Sequence, residues 1–301
     1  MRASGILSLI LLAHKAAAVT KIYISQSCGR ECVVSQVSFP LADTDVDYIP
    51  MLVPAIDSTL LRAKLAEQKL KEWQEYKRKK LKPTPELLQI DRLVGWLFTF
   101  DGAEDARSRF EKISKFEFDG EFQGLWDDSQ RGKIGDVIIY CDLTRYTFND
   151  NTRRWHDLVN SISMSQAEYQ GLGAAPICYA ATSQNAGPPN IAVSCIELTS
   201  PWLVVMWGMR SRGEMFLWNS GDDADRSVAA SIKETMTNDQ STRPWVDEIS
   251  ECLDGVLSHE ITHVVSAGLS RDIERMNSYG WANAVRLHRS DNAGECGSDV
   301  L

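Results

Sequence analysis

Beyond its first eighteen residues the chain has no apolar run approaching the roughly 20 residues that a membrane-spanning helix requires. It also has no internal repeat, no low-complexity tract and no Asn-X-Ser/Thr sequon. Integral-membrane, solenoid and fibrous readings therefore have no basis in the sequence, and a soluble fold with its own core is expected. Positive charge is in deficit: 32 Lys and Arg face 41 Asp and Glu, a formal net charge of −9. That balance argues against nucleic acid or an anionic membrane as the partner. Gly171-Leu172-Gly173-Ala174-Ala175 lacks the lysine and hydroxyl of a phosphate-cradling loop, so nucleotide binding is not indicated. Histidine is scarce as well, with five residues, which gives weight to any two that stand at ligand spacing.

What is present begins with a leader. Arg2 precedes the apolar run from Gly5 to Ala13, and Ala16-Ala17-Ala18 follows, which together read as a secretory signal peptide over residues 1–18. Removal takes away Arg2 and Lys15 and moves the formal charge from −9 to −11. The expected location is secreted and extracellular, with no membrane contact after cleavage. Cys28, Cys32, Cys141, Cys178, Cys195, Cys252 and Cys296 make an odd count in a compartment that favours disulfides. No second pair accompanies Cys28 and Cys32 at zinc-finger spacing, so a local disulfide between them is expected. Cys141 and Cys195 each end a strand-like run and are placed to cross-link neighbouring elements.

Residues 19–82 read as an N-terminal segment with a long amphipathic helix, and residues 83–301 as the main domain. Val19–Ile24 is strand-like, and Pro40, Pro50 and Pro54 punctuate the stretch that follows. From Asp57 to Leu81, with Asp57 or Ser58 as cap, Leu60, Leu61, Leu65, Leu70, Trp73 and Tyr76 supply an apolar stripe. The helix closes on Lys77-Arg78-Lys79-Lys80, cations that answer the macrodipole. The same run has the form of a dibasic processing site at the end of a propeptide. Further helices are expected at Glu86–Phe100 and Asp105–Phe118, and strands at 137–141, 191–196 and 202–207.

The strongest chemical signal is His259-Glu260-Ile261-Thr262-His263. Residues four apart share one face of a helix, so both imidazoles can reach one tetrahedral zinc ion while Glu260 stands beside its open position. Leu253, Val256, Leu257, Ile261, Val264 and Val265 recur at helical spacing over Glu251–Val265, a stripe that would bury the carrier helix in a core. Gly268 offers a stop, and Ser270-Arg271-Asp272 reads as a loop returning toward the metal. A catalytic zinc normally has three protein ligands. The HExxHxxGxxH extension is excluded, because its glycine and third histidine positions are Ser266 and Leu269. Asp272, Glu274, Asp291, Glu295 and His288 remain as candidates, with the nearest favoured by spacing.

Taken with Tyr279-Gly280-Trp281 sixteen residues on, and the segment to Leu287, the motif resembles the deuterolysin, or aspzincin, group of exported fungal zinc proteases. That group includes the lysine-specific metalloendopeptidases. The resemblance spans residues 251–287, and more faintly Ile138-Ile139-Tyr140-Cys141 and Val193-Ser194-Cys195. It implies an α+β fold: a mainly helical zincin-like catalytic domain with a small β-sheet and an HExxH active-site helix. It also implies one Zn2+ per chain held by His259, His263 and an aspartate, with Glu260 as general base. Tyr279 becomes a donor to the developing oxyanion, and the substrate a protein or peptide. The group's aspartate lies three residues before the tyrosine, where this chain has Met276. Asp272, seven before, takes that role here, with Glu274 as the fallback.

Two other readings stand beside this one. A peptidase of the same chemistry would take Glu295 as its third ligand. A catalytically degenerate zincin scaffold, exported as a binding protein, accounts for Met276 but gives the acid between two imidazoles no purpose. His156, next to Asp157, reads as a core or surface residue rather than half of an acid–base pair.

Overall fold

The computed structural model of the protein describes residues 19–29, 47–118, 137–141, 143, 145–157, 162–167, 169–170, 178–182, 194–198, 252–268 and 270. The order is β1 (Ile22–Ile24), α1 (Ile49–Lys79), α2 (Pro85–Leu97), α3 (Phe100–Ile113), β2 (Val137–Tyr140), β3 (Tyr146–Asn149) and β4 (Arg154–Asp157). Then follow β5 (Ile162–Ser165), β6 (Cys178–Thr182), β7 (Ser194–Leu198) and α4 (Leu253–Thr262). No helix among the described residues is long and apolar enough to cross a membrane.

The layering follows from β2. Its four residues, Val-Ile-Ile-Tyr, are all buried, as a strand covered on both faces requires. It lies between β1 and β7, parallel to both, and β6 closes the sheet antiparallel to β7. Strand alternation then sends Val137 and Ile139 into a core shared with the helices. Ile138 and Tyr140 face the other way, onto Tyr146, Ile162 and Met164 of the antiparallel meander β3-β4-β5. Helices, four-stranded sheet and meander thus form three layers. Core residues come from both sides of the boundary expected at residue 82: Ile22, Leu52, Ile56 and Trp73 share one cluster with Phe110, Ile113, Leu257 and Ile261.

Several elements depart from the sequence reading. α1 starts at Ile49, eight residues before the expected cap, and runs through Pro50 and Pro54. Pro50 costs little in the first turn, but Pro54 gives up a backbone hydrogen bond, an effect of about 3 kcal/mol. Burial of Met51, Leu52, Ala55 and Ile56 to zero exposure offsets it, at about 1.5–3 kcal/mol for each large side chain. Ser58 is accordingly a buried helix residue and not a cap. The next two helices divide at Thr99, whose side chain accepts from the Gly102 N–H at 3.0 Å, so α3 spans Phe100–Ile113 rather than 105–118. Thr84 caps α2 in the same way, through the Leu87 N–H at 3.2 Å. β7 lies two to three residues beyond the 191–196 strand, and the strand expected at 202–207 is outside the described residues, as is the leader 1–18.

The disulfide joins Cys28 to Cys141, not to Cys32. β1 and β2 run parallel, so the residues just past their ends meet although 113 positions separate them. The meander is an addition the sequence reading missed. On β4, Asp157 is fully buried and accepts from the Arg145 Nε at 2.7 Å, while Arg145 stacks 3.6 Å above the Tyr140 ring. His156 projects from the opposite face and its Nε2 lies 2.9 Å from Thr152 Oγ1. The His156–Asp157 pair is therefore split across the strand.

α1 and α2 are tied at Asp91, whose Oδ1 accepts from Lys77 Nζ at 2.6 Å and from Trp73 Nε1 at 2.8 Å. The Lys77 bond foremost, opposed by partial burial and aided by Trp73, holds the Asp91 carboxyl below its ordinary value of 3.8. A carboxyl lowered in the folded state contributes stability that is complete above 3.8 and lost as the pH falls through the lower folded value. Asp91→Asn should therefore unfold at lower urea than the parent at neutral pH, and the gap should narrow by about pH 2. Urea midpoints at the two pH values check this; a gap that widens in acid contradicts it.

Candidate metal centre

α4 carries the His-Glu-x-x-His segment because its other face is held from below. Leu253, Leu257 and Ile261, at four-residue spacing, are fully buried, and the helix packs on α1, α3 and β6. A polar clamp adds register. Ser58 Oγ of α1 donates to Asp254 Oδ2 at 2.6 Å, and Arg62 Nη1 lies 3.3 Å from Oδ1. Thr59 and Ser258 hydroxyls donate to the Asp254 carbonyl oxygen at 3.1 and 2.6 Å. Asp254, fully buried, thus fixes α4 on α1 about one and a half turns before His259.

The helix is shorter than the expected 251–265. It ends at Thr262 with His263 as C-cap; Val264 turns extended at ψ 152, and Val265–Ala267 forms a 3-10 turn. Gly268, at φ 112, reverses the chain in a conformation that glycine adopts without a Cβ penalty. Ser270 then returns to the helix end, its N–H donating to the Thr262 carbonyl at 3.2 Å.

His259 Nε2 and His263 Nε2 stand 3.1 Å apart, with the rings edge-on at 82°. An ion at the usual zinc–imidazole distance of about 2.0–2.1 Å from both nitrogens would subtend them at about 100°, near the tetrahedral angle. Proton positions follow from the chemistry of the partners. The His259 carbonyl can only accept, so Thr262 Oγ1 donates to it at 2.7 Å and in turn accepts from Ser270 Oγ at 2.8 Å. Ser270 Oγ has then spent its hydrogen, and the Ser270 carbonyl has none. Both lie 3.0 Å from His263 Nδ1, which must be the donor. In the neutral ring that tautomer leaves the His263 Nε2 lone pair facing His259 Nε2, the arrangement a metal-binding imidazole needs from its outer neighbours. The donor set and its support fit a divalent ion as far as two ligands. Glu260 follows His259 by about 100° around the helix and is buried beside the pair.

The structure therefore brings together His259 and His263, with the buried Glu260 next to His259 along the helix. Asp272 and Tyr279 lie outside the described residues, as do Glu274, His288, Asp291 and Glu295. Among the described residues no three His, Cys, Asp or Glu side chains converge as a metal site. Sequence reasoning missed Ser270, Thr262 and the Asp254 clamp as supports. Asp254 carried a signal, being an acid within the apolar run Leu253–Leu257. Ser270 falls in the loop expected to return after Gly268, but nothing in the sequence marked it as a partner of His263. No protein-family model, curated protein or solved structure matches the chain.

Proposed function

We propose that the protein is a secreted zinc-dependent metalloendopeptidase that hydrolyses peptide bonds in protein or peptide substrates. The observation carrying this reading is the 3.1 Å approach of two imidazole nitrogens, one of them fixed by its Nδ1 bond to Ser270. His259 and His263 would hold one zinc ion, with Asp272 as third ligand, in the pattern of the deuterolysin group that residues 251–287 resemble. When bound, zinc lowers the pKa of water toward neutrality and polarises the scissile carbonyl. The Glu260 carboxylate takes the proton from the attacking water and returns it to the leaving amine. Tyr279 donates a hydrogen bond to the oxygen on which negative charge develops.

The test is hydrolysis of an unstructured protein substrate by the purified chain, before and after treatment with a chelator. Activity should vanish with chelation, return on adding zinc, and stay absent in Asp272→Ala at the same zinc concentration. Hydrolysis that survives chelation contradicts the proposal. A chain with neither zinc nor hydrolysis would instead be the exported binding protein that Met276 favours.

A further inference from the structure

We propose that the Lys80–Leu81 bond is a processing site for an endoprotease that cuts after paired basic residues, and that the cut molecule persists as two joined chains. The sequence has two runs of adjacent basic residues, Lys77–Lys80 and Arg153-Arg154. They sit in opposite circumstances. Arg154 opens β4, the central strand of the meander, hydrogen-bonded on both sides, and its guanidinium is bound to Ser163 at 2.7 and 3.0 Å. Cleavage there would require dismantling a sheet, because a protease binds its substrate as an extended strand.

The first run ends a helix. Lys80 is the left-handed C-cap of α1 at φ 50, and Leu81 is 49% exposed at the start of the irregular stretch before α2. The Lys80 and Leu81 N–H groups reach back to the Tyr76 carbonyl, the latter at 3.3 Å, and the exposed Lys79–Glu75 ion pair at 3.4 Å adds little to hold this end. Fraying of Arg78–Lys80 presents the pair Lys79-Lys80 in extended form and stops at Lys77, which Asp91 holds at 2.6 Å. Lys82 is excluded as the cut residue, because Pro83 follows it. Hydrolysis adds one water across the Lys80–Leu81 amide, leaving a carboxylate on Lys80 and an amine on Leu81.

Such a cut does not free the N-terminal piece. Cys28 remains bonded to Cys141, and β1 remains paired with β2 from Ile22↔Val137 to Ile24↔Ile139. Met51, Leu52 and Ile56 stay buried in the core, and Ser58 stays bound to Asp254. Residues up to Lys80 are thus part of the support beneath α4, not a removable inhibitor.

The full chain, briefly digested in its native state with a paired-basic endoprotease, tests this independently of zinc or hydrolysis. The first new N-terminus should be Leu81. The pieces should co-elute in gel filtration, run as one band on a non-reducing denaturing gel, and separate once reduced and denatured. Lys80→Gly, which suits the left-handed cap, should abolish the Leu81 terminus. A first cut at Trp155 or any other bond overturns the proposal, as does release of the N-terminal piece without reductant or denaturant.

Discussion

Glu260→Gln should lower kcat for peptide hydrolysis by about 10²–10⁴-fold, with KM and zinc content nearly unchanged. The carboxamide has the volume of the carboxylate and the same place on α4, so packing around Leu257 and Ile261 is kept. It cannot accept the proton that the attacking water must lose. The histidine nitrogens should stay 3.1 Å apart, because Asp254 seats the helix and Ser270 holds the His263 ring. Steady-state kinetics alongside metal analysis separates the effects. A variant as fast as the parent removes the general base from the account; one that loses its metal as well shows that Glu260 serves the site's structure.

The second large effect falls on stability. Asp254→Ala should cost roughly 3–5 kcal/mol, the penalty for removing one partner of a buried charged pair. The loss is not only that of an attraction. Ser58 Oγ, 2.6 Å from the carboxylate, would be left buried against an apolar methyl, and the buried Nη1 of the partly exposed Arg62, at 3.3 Å, would lose its counter-charge. Against a total stability of about 5–15 kcal/mol this is severe. Because Asp254 precedes His259 by five residues on the same helix, loosening of α4 should also weaken zinc binding. Urea unfolding gives the measurement. A midpoint shift worth less than about 1 kcal/mol, at unchanged slope, would show that hydrophobic packing alone seats α4.

How much of this was legible in the sequence differs from element to element. The four-residue spacing of His259 and His263 and the apolar stripe beneath them identified α4, since both express the helix period directly. The helix end was misplaced by three residues because Val264 continues the apolar pattern while its backbone has already turned extended. Pro50 and Pro54 argued for a break that burial of Met51, Leu52 and Ile56 overrode. The Cys28–Cys141 bond depends on two parallel strands ending side by side, which residue spacing cannot express. The meander had a local signal, alternation in Tyr146–Asn149 running into the polar turn Asp150-Asn151-Thr152-Arg153. At the candidate metal centre the approach of His259 and His263 was legible from their spacing, but the Ser270 contact with His263 Nδ1 arises only from the chain reversal at Gly268.

Zinc content, measured on the protein purified without chelator and dialysed, beside that of His263→Ala, decides whether the two imidazoles hold a metal ion. About one zinc per chain is expected in the parent and none in the variant, with the helical circular dichroism of both alike. A parent that binds no zinc when supplied with it, or a variant that holds as much as the parent, would contradict that expectation.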